Sequence, residues 1–235
     1  MGLALLISFM IVAFFLTTLL RRWIDIPMLI AVAIGCAVNA NILNHITAPV
    51  VVGPFTFSIE IILYTLFMYT IMIRILDYSY HDGKIMTFTS IAAIIISAII
   101  ELISKLATGA DVAESFIAFS YYFISCAGTA LAVWFMVLVT IHFKEASAPR
   151  VIILGLALVL ASVVHTLVYY GGMSLIEQKL VYGLSNLYGA LVGKAICIGL
   201  AMISYAINLK VWKPPVVIAR EKEEKRKLEE QHVWD

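Results

Sequence analysis

The chain has 235 residues, of which 63% are hydrophobic and only 13% charged, with a formal net charge of +1. A water-soluble domain carries about 25% charged residues, and nucleic-acid binding calls for a basic surface. Composition therefore excludes an ordinary soluble fold and gives no case for a nucleic-acid partner.

Seven apolar runs fill the chain in order: Leu3–Leu20, Pro27–Asn44, Thr56–Ile75, Ile85–Leu106, Ser115–Ile141, Val151–Tyr170 and Leu184–Trp212. A bilayer core of about 30 Å takes roughly 20 apolar residues per helix, and a helix satisfies its own backbone hydrogen bonds in hydrocarbon. The pattern predicts an all-α, polytopic membrane bundle of about seven transmembrane helices. Gaps between the runs are too short for a second domain. The division is a transmembrane domain, residues 1–212, and a charged cytoplasmic tail, residues 213–235.

Basic residues set the orientation. Arg21 and Arg22 fill the first gap, Lys84 the third, Lys144 and Arg150 the fifth, and the tail after Trp212 holds most of the rest. Even gaps are poorer in charge. The N-terminus is expected outside and the C-terminus inside, in a multi-pass protein of the bacterial cytoplasmic membrane. The first run has no basic residues before it and is followed by its charges, so a span is expected rather than a cleaved signal.

Several chemistries find no support. Cys36, Cys126 and Cys197 lie in separate runs without CxxC spacing, and read as small core residues rather than a disulfide or metal set. No phosphate loop, HExxH or GxSxG stands in the chain. Neither an enzyme nor a cofactor is expected.

Polar residues inside the runs are costly in hydrocarbon and point to function. At about 1.5 Å per residue, they gather toward the outer side. The second run carries Asn39, Asn41 and Asn44 in its outer half. Glu60 lies one turn into the third. The fifth adds Tyr121, Tyr122, Ser125 and Thr129. His165 lies in the outer third of the sixth. The last has Asn186 and Tyr188 near its outer end and Lys194 near mid-depth. Convergence would make a polar pocket in the outer half, with Asn41, Glu60, His165, Lys194 and Tyr188 as substrate-binding candidates. Plainer readings compete. Glu60, Glu101 and Lys105 lie near helix ends and can reach the interface. Asn39 and Asn44 can bond between helices, and Tyr121 and Tyr122 can form an aromatic belt. Arg74 and Asp77 read as a structural ion pair or headgroup contact. Ser185, Gly189, Gly193, Cys197 and Ala201 form a small-residue stripe that favours packing within the bundle over dimerisation.

The tail opens with Pro214-Pro215, then carries the i,i+4 pairs Glu221/Lys225 and Glu223/Lys227. A solvated helix is expected; docking a protein partner is the sharper alternative. Oligomeric state is not encoded legibly.

Taken in order, some segments resemble the vitamin-uptake-like, queuosine-precursor transporter family over about residues 1–210. These are Ala40-Asn41-Ile42, Gly53-Pro54-Phe55-Thr56-Phe57, Leu63-Tyr64, Asp82-Gly83-Lys84 closing a helix, Ser162-Val163-Val164-His165-Thr166, and Lys194 in the last helix. His165 replaces the family's acid in the sixth helix, the acidic pair before the Gly is not kept, and the last helix has no Pro near Ile203. The resemblance implies a membrane transporter for a small polar, nucleobase-like or vitamin-like solute. Alternatives are a substrate-binding subunit of an energy-coupled transporter, and a non-transporting membrane sensor or complex subunit.

Overall fold

The computed structural model describes residues 2–20, 26–44, 50–52, 55–57, 59–145, 148–177, 180–211, 218 and 222. The helices are α1 (Gly2–Leu20), α2 (Ile26–Asn44), α3 (Ile59–Asp77), α4 (Tyr80–Ala107), α5 (Val112–Glu145), α6 (Arg150–Glu177) and α7 (Leu180–Val211). Among the described residues the only strands are β1 (Val50–Val52) and β2 (Phe55–Phe57). They pair antiparallel, Val50 opposite Phe57 and Val52 opposite Phe55.

Five helices, α3 to α7, are long and apolar enough to cross a membrane. In α1 and α2 the described apolar stretches are shorter, Ile7–Leu19 and Leu29–Ala40. The outer surface agrees with a lipid solvent: Phe88, Ile100, Trp134 and Leu175 all stand exposed, a pattern that water would penalise. The chain is a multi-pass helical membrane protein.

Its organising element is α3. Every residue from Ile61 to Asp77 is buried, because α3 touches each of the other six helices. By contrast, α4 is peripheral and presents Phe88, Ile96, Ile100 and Ile103 outward. Midway along the core, Thr18 of α1 lies 2.7 Å from the Tyr69 hydroxyl and 2.6 Å from Ser204 Oγ. Thr18 donates its own proton to the Phe14 carbonyl at 2.6 Å, so it accepts from Tyr69 and Ser204. That three-helix junction fixes α1, α3 and α7 in rotation.

Some sequence expectations are corrected. Thr56 belongs to β2 rather than to the third helix; β-branched and aromatic residues flank Gly53-Pro54, a composition that favours a ribbon. Asp82-Gly83-Lys84 does not close α3 but lies in the first turn of α4. Ser79 caps that helix, accepting from the Asp82 amide at 3.2 Å. The other end of α4 stops at Thr108, followed by Gly109 at φ 79°, a left-handed turn that glycine takes without steric cost.

The small residues of α7 pack inside the bundle. Gly189, Gly193, Cys197 and Ala201 are all buried, where α7 meets α1, α3, α6 and β2. The side chain of Ser185 lies outside the described residues.

Candidate functional site

Two of the sequence candidates meet directly. His165 of α6 and Lys194 of α7 are 4% exposed each, and Lys194 Nζ lies 3.3 Å from His165 Nδ1. The ammonium also donates to Thr166 Oγ1 at 2.7 Å. Thr166 in turn donates to the Ser162 carbonyl at 2.5 Å. Glu60 lies in the first turn of α3 and is partly buried.

Aromatic rings complete the cluster. Tyr64, one turn beyond Glu60 on α3, stacks on His165 with centroids 3.6 Å apart and planes 25° apart. Tyr169 lies nearly parallel to the imidazole at 5.8 Å. Lys194 Nζ sits 4.9 Å from the Tyr64 ring centroid, within the range of a cation–π contact. The Tyr64 hydroxyl is 3.3 Å from Thr129 Oγ1 on α5. His165 fits here because α5 offers Gly128: a Cβ at that position would lie 2.9 Å from His165 Cδ2. One polar atom is left over. His165 Nε2 is buried and has no hydrogen-bond partner among the described residues.

Beside this cluster, an open cleft of about 390 Å³ is lined by Phe9, Val32, Gly35, Cys36, Asn39, Ile59 and Leu63. Its walls come from α1, α2 and α3, and Ile59 and Leu63 are the chain neighbours of Glu60 and Tyr64. Asn39 spends its amide on its own helix, donating to the Gly35 carbonyl at 2.7 Å.

The remaining candidates are placed as follows. The side chain of Asn41 lies outside the described residues, as do those of Asn44 and Asn186. Tyr188 is 60% exposed and lies about 120° round α7 from Lys194, so it faces away from the His165–Lys194 contact. Tyr122 turns inward rather than joining a belt: its hydroxyl bonds Glu101, which also pairs with Lys105 at 2.6 Å.

At the opposite end of α3 the charges pair differently from the sequence expectation. Arg74 and Asp77 do not bond each other. Arg74 reaches Asp82 of α4 at 3.1 Å and lies over the Tyr78 ring at 3.6 Å. Asp77 takes the Tyr205 hydroxyl of α7 at 2.7 Å and Arg150 of α6 at 3.6 Å. The three-residue offset of Arg74 and Asp77 allowed a pair on one helix face; partners on neighbouring helices win because α3 is enclosed on all sides.

Sequence reasoning did not single out Tyr64, Thr166 and Gly128 as members of this cluster. The available signals were Tyr64 four residues after Glu60, Thr166 beside His165, and a glycine within the small-residue stretch 125–130 of α5. No group of three or more potential metal ligands occurs among the described residues. No protein-family model, curated protein or solved structure matches the chain.

Proposed function

We propose that this chain is a transporter for a small polar solute, nucleobase-like or vitamin-like, in the bacterial cytoplasmic membrane. It crosses seven times, with the N-terminus outside and the C-terminus inside. One observation carries the reading: a Lys194–His165 contact buried inside a bundle of apolar helices. Such groups are expensive in hydrocarbon and are kept where they meet a solute or ion. The resemblance to queuosine-precursor transporters gives the same class.

The geometry supports alternating access. The cleft by Asn39 is lined on the α3 side by Ile59 and Leu63, the chain neighbours of Glu60 and Tyr64. The stack of Tyr64 on His165 closes the site against it. Toward the inner side, the Arg74–Asp82 and Asp77–Arg150 pairs tie α3 to α4 and α6. In this reading Tyr64 withdraws to admit solute, His165 and Lys194 hold it, and Glu60 balances the lysine charge. The exchange of the family's acid for His165 favours, as second reading, a protein that binds or senses without transporting.

Uptake of labelled nucleobases and vitamins by the purified protein in liposomes tests the proposal. Uptake should occur, and Lys194→Met should abolish it while the protein still inserts and folds. Binding without uptake would move the chain to a binding subunit or sensor, and an ATPase that copurifies would then select the former. Full uptake by Lys194→Met would remove the site from the mechanism.

A further inference from the structure

The donors and acceptors around Lys194 leave one assignment for His165. Thr166 has a single hydroxyl proton and directs it to the Ser162 carbonyl at 2.5 Å. Toward Lys194 it therefore offers only lone pairs, so the ammonium donates to it at 2.7 Å. An ammonium has donors and no acceptor, so the Nδ1 atom 3.3 Å from it must accept as well. An imidazolium would set N–H against N–H and two like charges together. A neutral ring that accepts at Nδ1 carries its proton on Nε2.

That Nε2–H is the atom left without a partner among the described residues. Tyr64 stacks on the ring, and Tyr169 lies nearly parallel to it at 5.8 Å. The Nε2 edge turns toward Gly128, where an added Cβ would come within 3.5 Å. The absence of that Cβ leaves the buried Nε2 edge facing a glycine rather than a side chain. A buried donor without an acceptor is costly.

From this, and resting on the transport reading, we infer that His165 Nε2–H is the recognition donor of the site. It takes the acceptor atom of the solute, a carbonyl oxygen or an unprotonated ring nitrogen. Cations that carry only donors are rejected, because they meet Lys194 and Nε2–H and find nothing to bond.

The test uses the full chain in lipid nanodiscs with 15N-labelled histidine. His165 should show the Nε2–H tautomer. Uracil and 2-pyridone should shift its Nε2 resonance, and benzylammonium and toluene should not. His165→Phe keeps a ring against Tyr64 and loses the donor, so affinity for uracil and 2-pyridone should fall by about tenfold or more. An Nδ1–H tautomer or an imidazolium overturns the inference. So does the expected tautomer with no response to either acceptor probe, which would mean that water alone fills the site. The tautomer measurement is made on the native chain, so it stands if His165→Phe does not fold. Probe binding without liposome uptake would remove the transport reading and leave the donor assignment intact. Uptake with the wrong tautomer would do the reverse.

Discussion

Lys194 shows how far one residue can be read. A lysine deep in an apolar run announces itself, because the other charge in that run, Lys210, lies at its end, and His165 has no charged residue beside it in its own run. Their contact was legible only as a shared depth. Which way each side chain points depends on the rotation of α6 and α7, and helices apolar nearly all round carry little periodic signal of it. Tyr64 was harder to find for the same reason, since α3 is buried on every side. The energetic consequence is specific. Lys194→Met leaves Thr166 and His165 Nδ1 without their donor and, in the proposed pairing, leaves Glu60 without its counter-charge. Breaking a buried pair from one side typically costs about 3–5 kcal/mol. The double variant Lys194→Met/Glu60→Gln should therefore be more stable than Lys194→Met alone. Thermal unfolding in detergent measures both. Simple additivity of the two substitutions would show that Glu60 does not compensate Lys194.

Helices are joined in this fold by polar junctions as well as by apolar packing. At the level of elements, the C-terminal end of α3 is the clearest case. Asp77 is fully buried and accepts from Tyr205 of α7 and pairs with Arg150 of α6. One carboxylate thus holds two helices to the central one. Arg74 holds a third through Asp82, which is itself partly exposed. Asp77→Ala should cost about 2–4 kcal/mol, since it strands Arg150 and frees the Tyr205 hydroxyl. Asp82→Ala should cost less than Asp77→Ala, because water and the Tyr78 ring remain to serve Arg74. Equal losses in chemical denaturation would mean that the Asp77 junction adds nothing beyond an interfacial pair. Both aspartates were visible in the sequence. Their partners were not, because the pairing joins residues as far apart as Asp77 and Tyr205, and no local spacing encodes that contact.

For the whole molecule, the coarse architecture was the most legible feature, since apolar length alone yields membrane helices. The ribbon of β1 and β2 was missed because three-residue strands leave too short a pattern to separate from the apolar run that follows. Whether α1 and α2 also cross is a question about coverage. Buried residues run without a break along α3 from Ile61 to Asp77, and α1 and α2 are among the six helices that cover it. Withdrawn from the bilayer, they would bare Phe67 and Tyr69, both fully buried. Phe14 of α1 packs on Tyr69 at 5.5 Å, and α2 contacts both α3 and α4. In the proposed arrangement seven crossings put the two termini on opposite sides, with the C-terminus inside. Cys36, Cys126 and Cys197 are all buried, so their reactivity with a water-borne reagent should be low. Reporter substitutions Gly2→Cys and Asp235→Cys can then be compared in whole cells with a membrane-impermeant maleimide. Gly2→Cys should label in intact cells, and Asp235→Cys only after permeabilisation. Labelling of both from one side would require an even number of crossings. In that case one of the helices around α3 covers it without spanning, and the first candidates are α1 and α2, whose described apolar stretches are the shortest.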